Sequence, residues 1–423
     1  MSNRKGHILI LVENLPVPFD RRVWMESSTL TAAGYKVSVI SPCPPEELEQ
    51  PNRVIDGIHV YRYPMPAPTR GKLSFVREFL YCLYQTAKLT RRIWKEDCFD
   101  VIQSCNPPDT FWYIARQYKK HGVKFVFDHH DLCPELYESK YARQDFMWKA
   151  LLWLEKKQFE TADAVIATNE SYKQIALTRG GKRDQEVAVV RSGPRLELFK
   201  AVSPDEKLRR GRRYMGVYLG VMGVQDGVDY ALRAIRHALD AGLTDTCFTF
   251  IGKGDAFDGL LQLAEELRLL QDGTVLFTGR TPDDELRQYL STADFGIAPD
   301  PKDPLNDKST MNKIVEYMAM GLPIVSFDLE ESRFSAGGAA VYVPENDTRK
   351  LGEAIVALIA EPARRAEMKE IGIRRVSECL SWEHSEKVLL AFYSRLLNKS
   401  AAEDPGAESA FSSAILPQSG MQI

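Results

Sequence analysis

Asn312-Lys313-Ile314-Val315-Glu316-Tyr317-Met318-Ala319-Met320-Gly321-Leu322-Pro323, continuing through an apolar run to Phe327, is the stretch whose reading decides the fold. A helix is expected to stop at Gly321, a residue type suited to the position just past a helix end. Pro323 then bars its continuation, and the apolar run behind it reads as a strand. Glu316 falls near the middle of that helix with Lys313 one turn before it, a spacing that lets the two share a face. By spacing alone this is equally an ordinary surface ion pair.

Working outward, residues 214–219, 247–251, 275–277, 295–298 and 323–327 form a series of short apolar runs separated by stretches of helical periodicity. An earlier series occupies residues 7–12, 36–40, 100–103, 124–127, 164–167 and 187–190, while residues 57–63 partly alternate. Runs that are apolar throughout are what strands covered by helices on both faces look like. Strand–helix alternation implies right-handed crossovers and parallel sheets, so the chain reads as α/β, with two Rossmann-like doubly wound domains in tandem. The expected divisions are residues 1–200, 201–380, a last helix over 381–398, and a disordered tail over 399–423 that is rich in Ala, Ser, Gly, Pro and acidic residues. Two such sheets facing one another leave a crevice at the carboxyl ends of their strands, and the loops after strands are therefore where a small-molecule site is expected.

Bulk properties narrow the function. At 423 residues the chain exceeds one ordinary core. A net charge of -3 gives no electrostatic case for nucleic acid as main partner. The apolar stretch at residues 7–12 is too short for a signal-peptide core or a membrane span, so a cytoplasmic protein is expected. Cys43, Cys82, Cys98, Cys105, Cys133, Cys247 and Cys379 are odd in number and scattered, which suggests reduced thiols and neither a disulfide framework nor a zinc site.

Three loops carry chemistry. Residues 219–229, Leu-Gly-Val-Met-Gly-Val-Gln-Asp-Gly-Val-Asp, read as strand, Gly-rich turn and helix start, where Gly220 and Gly223 let backbone approach a ligand and helix-terminal amides favour an anion. Asp226 there is expected to cap the helix. Residues 14–24, Asn-Leu-Pro-Val-Pro-Phe-Asp-Arg-Arg-Val-Trp, lead into a helix beginning near Arg21, with Asp20 suited to the cap. Residues 127–132, Phe-Asp-His-His-Asp-Leu, follow a predicted strand; no third ligand accompanies the His and Asp residues at metal-site spacing, so no metal is expected. The alternative for this last loop is capping by Asp131 with solvated histidines. Residues 72–95 form a separate basic amphipathic segment, consistent either with packing on the first sheet or with lying on an anionic membrane.

Together with Asn106-Pro107-Pro108-Asp109-Thr110, residues 162–167, residues 277–280 and residues 293–299, these motifs resemble, across nearly the whole chain, the retaining glycosyltransferases of family 4, in a bacterial envelope or exopolysaccharide subgroup. The resemblance implies the GT-B fold. It also implies transfer of a sugar from a nucleoside diphosphate sugar to a hydroxyl of a saccharide or polyprenyl-linked acceptor, with retention and without a metal or other cofactor. Polysaccharide biosynthesis (capsule, exopolysaccharide or O-antigen) is the implied setting, with peripheral contact at the inner face of the plasma membrane.

By the same resemblance Glu316 holds the ribose hydroxyls and His130, beside Asp131, faces the donor sugar, so His130, Asp131 and Glu316 are the expected catalytic group. Two departures stand out. Lys308 replaces a Glu that contacts the donor sugar, and Val221 or Met222 and Asp226 stand where an Arg and a Lys hold the diphosphate. Compensating donor contacts are expected from Arg21, Arg22, Lys253, Arg280, Lys308, Asn312 and Lys313. The missing motif residues keep open a non-catalytic binding subunit of an envelope-assembly complex, and a nucleotide-sugar epimerase shares the fold. A dinucleotide oxidoreductase is disfavoured because the first strand runs into Glu13-Asn14-Leu15-Pro16 without a Gly-x-Gly-x-x-Gly turn.

Overall fold

The computed structural model describes residues 5–44, 48, 51–65 and 72–397, with the side chains of residues 72–76 excepted. The expected tail and residue 398 lie outside the described residues. The first sheet contains β1 (His7–Leu11), β2 (Lys36–Cys43), β3 (Asn52–Ile55), β4 (Ile58–Pro64), β5 (Val101–Cys105), β6 (Lys124–His129), β7 (Ala164–Ala167) and β8 (Val187–Val189). The second contains β9 (Tyr214–Leu219), β10 (Thr246–Ile251), β11 (Val275–Gly279), β12 (Phe295–Ala298), β13 (Ile324–Phe327) and β14 (Ala340–Val343). Their orders are β3-β4-β2-β1-β5-β6-β7-β8 and β11-β10-β9-β12-β13-β14.

Every pairing is parallel except β3 with β4. Both sheets reverse direction of growth beside their first strand, and the carboxyl ends of β1 and β5 in one and β9 and β12 in the other open on that switch point. Strands such as β1 and β5 are buried along their whole length, which is why β1 reads as an unbroken apolar run after His7; in β5 the buried Gln103 interrupts it.

The run expected to form the helix stop does so. The helix Asn312–Ala319 ends with Gly321 at φ 72°, where its amide donates to the Met318 carbonyl and that of Leu322 to the Tyr317 carbonyl. Two strands went unread in the sequence. β3 joins β4 through Asp56 and Gly57, both with positive φ (49° and 82°), a two-residue hairpin turn at the edge of the sheet. β14, Ala-Val-Tyr-Val, is a four-residue edge strand buried only in part.

Helices cover both faces of each sheet. On one face of the first, Cys82, Ile93, Phe111, Ile114, Phe159 and Ile175 pack on Leu9, Ile102 and Phe125. On the other, Val23 and Leu30 meet Trp382, Leu389 and Phe392, so the final helix, Trp382–Leu397, packs against the first domain after the second is complete. Trp382 fixes this crossing, donating from its indole N–H to Thr29 Oγ1 at 3.0 Å. Burying each of these large apolar side chains contributes roughly 1.5–3 kcal/mol.

The second domain also meets the first through residues 303–310 and Glu331. Asn169 Nδ2 donates to the Lys308 carbonyl (2.8 Å) and Thr310 Oγ1 (3.0 Å), Tyr172 and Ser309 hydroxyls lie 3.0 Å apart, and Ser171 Oγ donates to Glu331 (2.7 Å). Ser139 Oγ donates to Asp303 at 2.6 Å. The segment containing Lys308 is thereby fastened to the opposite domain.

Candidate active site in the interdomain cleft

The first-domain wall begins at the helix Arg21–Ala32, whose amino end is capped by the Asp20 carboxylate accepting from the Val23 amide at 3.0 Å. The two consecutive arginines diverge, because neighbours on a helix point about 100° apart. Arg21 is half exposed and spans the cleft: Nη2 lies 2.5 Å from Asp283 Oδ1 and Nη1 lies 3.4 Å from Glu316 Oε1. Arg22 turns inward and is buried. Its guanidinium donates to Asp128 Oδ1 (2.9 Å), His130 Nε2 (2.9 Å), the Val190 carbonyl (2.7 Å) and Ser192 Oγ (3.1 Å), and contacts Glu26 Oε1 at 3.1 Å. With its donors so engaged, Arg22 braces His130, and Arg21 is the member of the pair that meets the cleft.

His130 follows β6 and is held from both ends. Its amide donates to Asn106 Oδ1 at 2.6 Å, and its Nε2 also lies 2.8 Å from Asp128 Oδ2. Burial opposes a charge on the imidazole, but the Asp128 carboxylate overrides it and raises the pKa. Asp128 itself is penalised by burial, yet Arg22 and His130 hold it well below the usual carboxylate range. Asp131 is half-buried; its amide and carbonyl are both engaged by the Asn106 side chain (3.2 and 2.7 Å), and burial pushes its carboxyl up against the pull of His130. It caps no helix, since the following helix Cys133–Tyr141 has Leu132 at its cap and no side-chain hydrogen bond there. Nor are the histidines solvated: His129 is fully buried.

Cys105, Asp128 and His130 bring three potential metal-ligand atoms within 4.8 Å of one another. The Arg22 guanidinium touches two of these three residues, so a metal cation would meet a like charge in a confined space.

On the second-domain wall, Glu316 is half-buried, and burial pushes its carboxyl up to about 7 against the pull of Arg21. It does not pair with Lys313, as helical spacing allowed. Lys313 is buried, 2.5 Å from Asp300 Oδ1 and 5.3 Å over the Tyr218 ring. It lies against the Gly-rich turn: a Cβ built on Gly220 would stand 3.2 Å from Lys313 Cε. Asp226 corrects another expectation. Its carboxylate reaches back to the Gly223 amide at 2.8 Å, and Gly227 occupies the helix cap. Burial raises the Asp226 carboxyl to about 6, with Lys313 opposing.

The remaining expected donor contacts are dispersed. Arg280 is exposed and lies 5.3 Å over the ring of Phe19, a first-domain residue, so it too reaches across the cleft. Lys253 is exposed, 5.5 Å over Phe257. Asn312 is exposed at the first position of its helix, and Lys308 is half-buried in a short turn, residues 306–308, before it. Asp283, Asp300, Asn106 and Phe19 went unassigned in the sequence. Asn106, Phe19 and Asp300 carried a faint signal, because all three stand in loops that follow strands; Asp283, at the start of a helix, is recognisable only from its partner.

Residues 20–197 match the family described as Glycosyltransferase Family 4, and residues 213–361 match Glycosyl transferases group 1. A putative teichuronic acid biosynthesis glycosyltransferase, TuaH, of Bacillus subtilis is 29% identical over 192 residues, 44% of this chain and 45% of that protein. The chain thus spans about half the length of that relative. An alpha-maltose-1-phosphate synthase of Mycolicibacterium smegmatis is 27% identical over 306 residues, 65% of this chain and 74% of that one. Among solved structures, HepE of Anabaena in complex with UDP-glucose superposes with a TM-score of 0.68 at 15% identity, covering 92% of this chain and 100% of that chain.

Proposed function

Because this chain belongs to the GT-B glycosyltransferases of family 4 type, we propose that it transfers a sugar from a nucleoside diphosphate sugar, bound between the two sheets, to a hydroxyl of a saccharide or lipid-linked saccharide in glycan biosynthesis. The observation that carries this reading is Glu316, a half-buried carboxylate reached from the opposite domain by Arg21 at 3.4 Å. A carboxylate accepts two hydrogen bonds from a vicinal diol such as a ribose, and a guanidinium suits phosphate oxygens. The solved relative HepE was crystallised with UDP-glucose, which supports a donor of this class.

In this reading Arg21 and Lys313 stabilise negative charge on the departing diphosphate, which makes a metal unnecessary; the Gly220 and Gly223 amides are already engaged by the Ile251 carbonyl and the Asp226 carboxylate. Lys313 is already paired with Asp300 and Arg21 with Asp283, each at 2.5 Å, so a bound diphosphate competes with a carboxylate at both cations. His130, with its imidazole oriented by Arg22 and Asp128, donates to a sugar hydroxyl or carbonyl near the reacting carbon. The acceptor attacks from the face the leaving group vacates, giving retention, and the two domains exclude water.

The acceptor side includes a membrane. On the helix Lys72–Glu96, Cys82, Thr86, Thr90 and Ile93 are buried while Arg77, Leu80, Tyr84, Lys88 and Arg91 are exposed in one stripe. Exposed apolar groups flanked by cations fit an anionic lipid surface, each cation adding about 1 kcal/mol. No helix among the described residues is long and apolar enough to cross a membrane. Flotation with anionic vesicles checks this, and retention of binding by a Leu80→Asp, Tyr84→Asp variant would refute it.

Calorimetric titration with UDP-, GDP- and dTDP-sugars tests the donor site. Saturable binding of one base is expected, weakened about 100-fold in Glu316→Ala, since two hydrogen bonds to a charged group are worth roughly 3 kcal/mol together. Binding to none of them would overturn the proposal.

A further inference from the structure

Beneath His130 runs a buried chain of polar side chains drawn from four separate parts of the sequence. Tyr393, on the helix Trp382–Leu397, is fully buried, and its hydroxyl donates to Gln103 Oε1 on β5 at 2.5 Å. The Gln103 amide nitrogen donates in turn to Glu26 Oε2 (2.6 Å) and Asp128 Oδ2 (2.8 Å). Arg22 closes the chain, contacting Glu26, Asp128 and His130.

Two features make the chain more than packing. The Gln103 amide has one acceptor and one two-hydrogen donor, and both carboxylates require the donor end. Its carbonyl must then face a donor, and Tyr393 supplies it. The second feature is at His130: Nε2 faces an N–H of Arg22 at 2.9 Å and a carboxylate oxygen of Asp128 at 2.8 Å. One ring nitrogen cannot accept from the first and donate to the second at once. The neutral ring with Nε2 bare accepts from Arg22; the ring protonated at Nε2 donates to Asp128. Which contact forms depends on how strongly Asp128 attracts a proton, and that depends on the donors already holding it.

We propose that Tyr393, the contribution of the crossing helix, is a positioning residue for His130: through the Gln103 amide it sets the proton demand of Asp128 and hence the hydrogen-bonding state that His130 presents to the cleft. The role of His130 toward a donor sugar rests on the function proposed above; its coupling to Tyr393 does not. Hydrogen bonds in series polarise one another, so removing the Tyr393 hydroxyl weakens the Gln103 donor or lets the amide turn away. Asp128 then becomes the better partner for an imidazolium. The other groups facing this cluster are Asp20 and Asp131, whose charges act on His130, Tyr35, whose ring packs against Tyr393, and the thiol of Cys105, 3.7 Å from Asp128 Oδ2. Burial and the Asp128 charge push Glu26 up to about 8 against the pull of Arg22, consistent with one proton held between the two carboxylates.

The test is the pH titration of His130 followed by NMR in the ligand-free protein, with the signal assigned by its loss in His130→Gln. In Tyr393→Phe the midpoint should rise by about half a pH unit, a threefold change in proton affinity, with other histidines unmoved. Thr29→Val is the control: it removes the Trp382 hydrogen bond and loosens the same helix without touching the chain, and it should leave His130 unchanged. An unmoved midpoint in Tyr393→Phe, or an equal shift in Thr29→Val, overturns the proposal. Should Tyr393→Phe fail to fold, Gln103→Met, which keeps the shape and removes the donor, decides in the same way. No donor or acceptor enters the measurement, so its outcome stands apart from the titration with nucleotide sugars. If both readings hold, Tyr393→Phe lowers kcat and leaves the donor KM in place.

Discussion

The two walls of the cleft are organised in opposite ways. On the first-domain wall the charged groups are satisfied before any ligand arrives: Arg22 is engaged by Asp128, Glu26, His130, Val190 and Ser192, and Asp128 by Arg22, Gln103 and His130. On the facing wall Arg280 and Lys253 rest over aromatic rings in the open, and Glu316 is met only loosely by Arg21. A buried, mutually bonded network fixes geometry, because moving any member strands another. Half-exposed groups in weak pairs exchange partners readily, as substrate exchange requires. The first wall is a frame; the second, apart from the buried Lys313–Asp300 pair, is a set of contacts waiting for a ligand.

The largest expected effect breaks the frame. Arg22→Ala removes the one guanidinium that meets the buried Asp128 and Glu26 carboxyls, and a loss of about 3–5 kcal/mol in chemical unfolding is expected. A loss below about 1 kcal/mol, the range of an exposed pair, would erase the distinction between the walls.

The next sharpens the second wall through pH. The Glu316 carboxyl is raised from 4.5 to about 7, so its contribution to stability is fully present below pH 4.5 and is lost as pH rises through about 7. Nucleotide binding runs the other way, since the carboxylate that accepts from a ribose forms only as the proton leaves. Between pH 5.5 and 8, donor affinity should therefore rise by roughly tenfold while stability falls on the order of 1–2 kcal/mol, each measured against Glu316→Gln. A donor affinity flat across that window would show that Glu316 does not hold the nucleotide.

The smallest concerns Arg21. Its pairs with Asp283 and Glu316 are solvent-exposed, so Arg21→Ala should change unfolding stability by less than about 0.5 kcal/mol while weakening donor binding severalfold. A large stability loss would place Arg21 in the frame with Arg22.

The α/β alternation, the helix stop at Gly321, the start of the helix at Arg21 and the loops after strands that line the cleft are all legible in the chain. These follow from local rules: apolar runs long enough to be buried on both faces, a residue that tolerates positive φ, a carboxylate placed to cap. The edge strand β3 escaped because its half-exposed, mixed residues carry no such run, while β14 is a short apolar run, Ala340–Val343, that went unread. What only the tertiary structure decided is the division of labour among like residues. Arg21 and Arg22 are indistinguishable in the chain, and their fates part because one side of their helix meets the buried Asp128 and the other meets a second domain more than 260 residues away. Lys313 and Glu316 could have paired; Asp300 and Arg21 claimed them instead. Tyr393 reads as one more apolar position on a terminal helix, and its hydroxyl acquires a role only where that helix returns to Gln103. Charge and hydrogen-bonding partners act over a few ångströms in space, and the distance between them along the chain is set by the fold alone.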